Sequence, residues 1–247
     1  MTSALRYEWR RITTVRSTWI MAALAVLVVV AFAALIASFT DTGAGFSPEG
    51  DPMTTPGTLA MFVNAFVVQL AAVFLSVVAA QAIGQDYRHG MIRLTLSAFP
   101  RRSRILAAKL IMVLLTTLVV GAVAFLLAAL VMLLIDQPPV DMTAVHIMLK
   151  GLAILMLYCT IAFALTILTR ILALGVIIPV VVALVVEQIL VAISFLTERE
   201  WVARLLPFQR AFGDLSWDGG WSGIGILAAW AVGLMAVAWV VFKRRDA

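Results

Sequence analysis

The chain has 247 residues, 64% of them hydrophobic and only 13% charged, with a formal net charge of +5. A mean hydropathy of +1.09 excludes an ordinary water-soluble domain, because a chain of this length cannot hide so much apolar surface in one core. Lipid is the solvent that suits this composition, and the excess of positive charge then reads as a means of orientation in the membrane rather than of nucleic-acid binding.

The N-terminus is basic and periodic. Leu5, Trp9, Ile12 and Val15 recur at helical spacing opposite Arg6, Arg10, Thr13 and Ser17. The pattern predicts an amphipathic helix over residues 1–18, lying at the inner membrane surface. Six apolar runs follow, at residues 19–39, 59–83, 105–135, 145–168, 171–196 and 221–242. Each reaches the roughly 20 residues a helix needs to cross a hydrocarbon layer of about 30 Å. None alternates with period two, which argues against a membrane β-barrel. The first run is too long for a cleavable signal peptide, and no small-residue cleavage site precedes Asp41, so it reads as a retained span. The only cysteine, Cys159, lies in the fourth run, so no intrachain disulfide is possible. The expected fold class is all-α and integral to the membrane: one transmembrane domain over residues 1–247 with six spans.

Orientation follows from Lys and Arg counted segment by segment. Arg6, Arg10, Arg11 and Arg16 precede the first span, while residues 40–58 carry no Lys or Arg but hold Asp41, Glu49 and Asp51. Arg88, Arg93, Arg101, Arg102, Arg104 and Lys109 crowd the second connection, and the third has only Asp136 and Asp141. Arg170 marks the fourth, and Lys243, Arg244 and Arg245 the C-terminus. Fourteen of the eighteen cations thus fall on one side, which the positive-inside rule assigns to the cytoplasm together with both termini of a plasma-membrane protein. Lys150, Arg199, Arg204 and Arg210 are the exceptions, the last three in a fifth connection that Glu198, Glu200, Asp214 and Asp218 nearly neutralise. That connection is longer than a linker requires. Its stretch REWVARLLPFQRAF predicts one or two short helices on the outer side, with Trp217 and Trp221 at the interface.

The sequence lacks several catalytic constellations. There is no phosphate-binding loop, nucleophile elbow or H-E-x-x-H. His89 and His146 fall on opposite sides and cannot share a metal, and no span holds two carboxylates. An intramembrane lipid-modifying enzyme would need acids or histidines clustered at one depth. An ion-coupled secondary transporter would carry internal repeats and spans interrupted in matching places. Neither pattern is found.

The second connection has an internal order that orientation alone does not require. Gly84 and Gly90 bracket QDYRH, MIRLTLSAF follows as a short amphipathic segment, Pro100 ends it, and RRSR opens the third span. Apolar residues at a cytoplasmic surface fit lipid or a groove on another protein. The ordered set Gly84, Asp86, Gly90, Met91, Ile92, Arg93, Leu94, Leu96, Pro100, Arg101, Arg104 and Lys109 resembles membrane subunits of ATP-binding-cassette exporters of the type 2 family. Asp86 stands where the family usually has Glu, and Met91 where it often has Thr. The resemblance extends to Glu8, Trp9 and Trp19 at the start, LLPF in the last outer loop and RRDA at the end.

The resemblance implies a permease subunit rather than an enzyme. The second connection would form a coupling helix that docks on a separate ATPase, with Gly84, Asp86, Arg88, Gly90, Ile92, Arg93, Leu94, Leu96, Pro100, Arg101 and Arg104 at the contact. ATP and Mg would bind that partner, present in two copies, and this chain would need no cofactor or metal of its own. A second permease, identical or similar, would complete the pathway, with the second and fifth spans of each lining it. Asn64, Gln69, Ser76, Glu187 and Gln188 are the polar residues on those spans, and Pro179 would kink the fifth. An ionised group at the centre of a span costs at least about 2.5–3.5 kcal/mol. Lys150 and Glu187 lie at roughly 9 and 13 Å depth from the outer side by helical rise, so the two are expected to pair, the alternative being that Lys150 snorkels to the outer surface while Glu187 faces the pathway.

Overall fold

The computed structural model describes residues 2–41, 56–88, 102–134, 142–197, 201, 205–215 and 219–245. Nearly all of these residues are helical, with no strand among them. Among the described residues six helical stretches are long and apolar enough to cross a bilayer. The short coupling segment expected around residues 91–99 lies outside the described residues.

Helix α1 (Thr2–Thr14) is followed after Val15 by α2 (Arg16–Asp41), so the first span begins three residues earlier than its apolar run suggests. No Gly or Pro stands at this break. The hydroxyls of Thr13 and Thr14 bond back to carbonyls of Trp9, Arg10 and Arg11. The free carbonyl of Thr13 accepts the indole N–H of Trp19 at 2.9 Å. Local side-chain bonds of this kind satisfy a helix end and let the chain leave it.

The other spans are α3 (Pro56–Arg88), α4 (Arg102–Leu134), α5 (Met142–Thr169), the pair α6 (Leu172–Val181) and α7 (Glu187–Leu196), and α9 (Ser222–Arg245). A short helix α8 (Pro207–Gly213) lies in the fifth connection. It confirms that this connection holds a helix, with Pro207 at the first helical position, where its missing N–H costs nothing. The bundle is built around two spans: α3 and α5 are 67% and 61% buried, the other four 17–28%. Their inner faces explain why. α3 presents Ala71, Ala72, Ser76, Ala79 and Ala80, and α5 presents Gly151, Ala162 and Ala164, all buried. Small side chains let helix axes approach closely, and close packing rather than water exclusion holds helices together in lipid.

The spans run alternately, so the molecule has two ends. The near end holds α1, the end of α3, the start of α4, the turn between α5 and α6, and the end of α9. The far end holds α8 and the start of α9. At the near end α5 and α6 join through Arg170 and Ile171 alone, with Arg170 left-handed at φ 59°. Gly175 then sits directly on Thr166 and the carbonyl of Ala162, where a Cβ has no room. Farther along the same span, Pro179 cannot donate to the carbonyl four residues back. The ladder re-forms as a π turn over Val182–Val186, and the Glu187 N–H reaches the Val182 carbonyl five residues earlier. The disturbance expected at Pro179 is therefore this π turn.

Candidate functional site

Four charged side chains converge at the near end, beside both flanks of the second connection. Lys109 of α4 uses all three of its N–H groups: Nζ lies 2.7 Å from Glu8 Oε1 of α1, 2.9 Å from Asp86 Oδ2 of α3 and 3.0 Å from the Ala82 carbonyl. Arg11 of α1 completes the set, 3.1 Å from Asp86 Oδ1 and 3.5 Å from Glu8 Oε2. Its guanidinium also donates to the carbonyls of Ala82 at 2.9 Å and Gln81 at 3.1 Å. Ser17 adds a bond to the Gln81 side chain. The cluster balances two acids with two bases, and its lysine and glutamate side chains are only 3% exposed. A lone carboxylate at Asp86 would be disfavoured by burial and by the negative end of the α3 dipole. Two cations, with every donor of Lys109 engaged, offset both terms.

This arrangement fixes which side of α1 meets the bundle. Trp9, placed on the apolar stripe, is 54% exposed, while Glu8 is 2% exposed and faces the bundle. Periodicity offered the apolar stripe to the membrane surface and did not show that Glu8, with its partner on α4, faces the bundle. Asp86 and Gly84, expected at the ATPase contact, are turned inward. Both Asp86 oxygens bind within the chain, and a Cβ on Gly84 would stand 2.9 Å from the Cβ of Leu172 at the start of α6. Arg88 and Arg104 are exposed at the two flanks. Gly90, Ile92, Arg93, Leu94, Leu96, Pro100 and Arg101 lie outside the described residues. Next to Asp86, Tyr87 carries the Arg170 guanidinium over its ring at 5.7 Å, so the end of α3 also touches the turn into the fifth span.

The polar residues proposed for a pathway are mostly enclosed by their own chain. Gln69 is buried, its Nε2 3.4 Å from the Tyr158 hydroxyl and its Oε1 without a protein partner. Ser76 is buried and donates to the Val73 carbonyl. Gln188 is exposed, and the side chain of Asn64 lies outside the described residues.

Lys150 and Glu187 do not form the expected pair; each binds backbone at the far end instead. Glu187 accepts the N–H groups of Phe208 at 3.1 Å and Gln209 at 2.6 Å. Lys150 donates to the Asp214 carbonyl at 2.9 Å and to that of Gly219, with Trp221 5.9 Å from its ammonium. Both charges were rightly singled out as needing partners. The free amides at the start of a helix inside the fifth connection, the Asp214 carbonyl just past its end and the Gly219 carbonyl just before the last span supply them. Among the described residues no group of His, Cys, Asp and Glu is placed to hold a metal.

A family model described as "ABC-2 family transporter protein" matches residues 4–188, a stretch that contains every member of the near-end cluster. A comparison with curated proteins found no match.

Proposed function

The chain belongs to the ABC-2 transporter family, and we propose that it is the permease subunit of an exporter whose ATPase docks on the second connection. Membership makes it a multi-pass transport subunit and implies an ATP-binding-cassette ATPase as partner. The finer reading adds a second permease copy, two ATPase copies, cytoplasmic termini in the plasma membrane, and the loop 84–104 as the docking segment. ATP and Mg would be held by the partner.

The observation that supports this reading is the near-end cluster. Asp86 stands three residues before the connection and Lys109 eight residues after it, and the two are joined at 2.9 Å. The flanks of the loop are thereby fixed to each other and, through Glu8 and Arg11, to α1. A loop anchored at both flanks passes a displacement to the spans instead of absorbing it. The Arg170 contact with Tyr87 gives that displacement a route to the fifth span. Exposed Arg88 and Arg104 would charge-match the partner and set its register, while Ile92 and Leu94 would carry affinity.

The test is co-purification. Ile92→Glu with Leu94→Glu should release the ATPase while the permease still inserts. Wild-type stoichiometry after that change would overturn the docking role. Arg88→Ala should weaken the complex less, because a rim charge acts mainly on encounter and register.

A further inference from the structure

The far end carries machinery that docking at the near end does not use. Glu187 is the first residue after the π turn Val182–Val186 and is 1% exposed. Its two oxygens hold the Phe208 and Gln209 amides, which belong to the first turn of α8 and have no partner inside that helix. The other end of α8 is bound to the last span. Asp214 Oδ2 accepts the N–H groups of Gly223 at 2.8 Å and Ile224 at 3.0 Å. Gly223 lies against the backbone of Arg210 with no room for a Cβ. α8 and the start of α9 therefore form one piece. Phe208 seats that piece on Tyr158 of α5, ring to ring at 5.2 Å, Lys150 of α5 holds the Asp214 carbonyl, and Glu187 is the grip from the fifth span.

A π turn contains one residue more than α geometry needs, and such turns cluster at functional sites. Winding the turn into α geometry with that residue retained would rotate α7 by about 100° and shift it by about 1.5 Å, and Glu187 is the first side chain to move. Little packing within the chain resists the change, since Leu184, Val185 and Val186 are 40–49% exposed and only Ala183 of the turn is buried.

We propose that Glu187 is a latch and the π turn its trigger. When Val182–Val186 relaxes into α geometry, the carboxylate swings off the Phe208 and Gln209 amides. The piece formed by α8 and the start of α9 is then free to move away from the fifth span and open the far end of the bundle. The inference deepens the permease reading by naming an opening device. It is tested on the chain alone, so its failure and that of ATPase docking are distinguishable.

The experiment places spin labels at Ile193→Cys on α7 and Arg210→Cys on α8, both exposed, in the full chain with Cys159→Ala, reconstituted in lipid nanodiscs without nucleotide. With the latch intact the label distance should be single and narrow. Glu187→Ala should add a second, longer population. Pro179→Ala, which restores the missing N–H and favours α geometry with every residue of the turn retained, should do the same with Glu187 still present. An unchanged distance in Glu187→Ala overturns the latch, and an unchanged distance in Pro179→Ala overturns the trigger. Where Glu187→Ala does not insert, Glu187→Gln is read instead: it keeps one acceptor, so a smaller second population supports the latch and none overturns it. Deleting Leu184 in the Pro179→Ala background removes the excess residue, returns Glu187 to register and should abolish the second population; its persistence overturns the trigger.

Discussion

The two ends of the bundle handle buried charge in different ways. At the near end, side chains bind side chains: Glu8 and Asp86 face Lys109 and Arg11 across three helices. At the far end, side chains bind backbone: Glu187 holds two amides, Lys150 two carbonyls and Asp214 two more amides. A side-chain cluster is specific in its partners and strongly coupled, which suits a joint that must hand on a displacement. A backbone grip carries no charge on its other side. It can let go without leaving an opposite charge stranded, which suits an element that opens and closes.

The largest expected effect tests the first half of that contrast. Lys109→Met removes the cation shared by two carboxylates, and breaking a buried pair from one side costs about 3–5 kcal/mol. Thermal unfolding in lipid should show a loss of that order. Adding Glu8→Gln should return part of it, giving a coupling of roughly 0.5–3 kcal/mol. Additive losses would mean that Glu8 and Lys109 act independently, and the comparison would break.

The far end should behave in the opposite way. Glu187→Ala leaves two amides without acceptors, at about 2–3 kcal/mol. No second side chain loses its partner, so Lys150→Met with Glu187→Gln should be the sum of the single changes within about 0.5 kcal/mol. Hydrogen exchange at Phe208 and Gln209 should quicken in Glu187→Ala, and unchanged protection there would remove the grip. A mutual rescue of Lys150 and Glu187 would restore the ion pair that the sequence suggested and the structure replaced.

Steric contact at the near end comes next in size. Gly84 meets Leu172 with no space for a side chain, and forcing atoms into a packed site costs about 1–3 kcal/mol. Gly84→Val should therefore destabilise, and Leu172→Ala beside it should relieve part of the loss in the same unfolding assay. No relief would mean that α3 and α6 do not rely on this approach.

The spans were legible because composition decides them: a continuous apolar run of sufficient length has no stable alternative in lipid. The cluster was legible only as separate letters. Asp86 and Lys109 stood out by position, yet Glu8 meets Lys109 across 101 positions, and Arg11 read as one more orienting cation. The π turn had Pro179 as its signal, but a proline does not say where the ladder will re-form. The partners of Lys150 and Glu187 were missed because sequence patterns pair side chains with side chains, whereas helix ends offer unpaired amides that no residue type marks. Pro207 was the available hint, since a proline at a first helical position announces free amides just behind it.

The smallest effect isolates the turn between the near end and the fifth span. Arg170 holds a left-handed conformation, which costs a non-glycine residue roughly 1–2 kcal/mol. Its guanidinium recovers about 0.5–1 kcal/mol over the Tyr87 ring. Arg170→Gly removes both terms, so its net change in stability should stay within about 1 kcal/mol. The two terms separate when Tyr87→Leu is made first. In that background the stacking is already gone, and Arg170→Gly should stabilise by about 1 kcal/mol. Transport should respond differently from stability: if the contact carries displacement from the loop to the fifth span, Arg170→Gly and Tyr87→Leu should each lower transport per ATP hydrolysed, and the double variant should lower it no further. Equal transport per ATP in all three variants would leave Arg170 a turn residue only, and would put the route to the fifth span elsewhere.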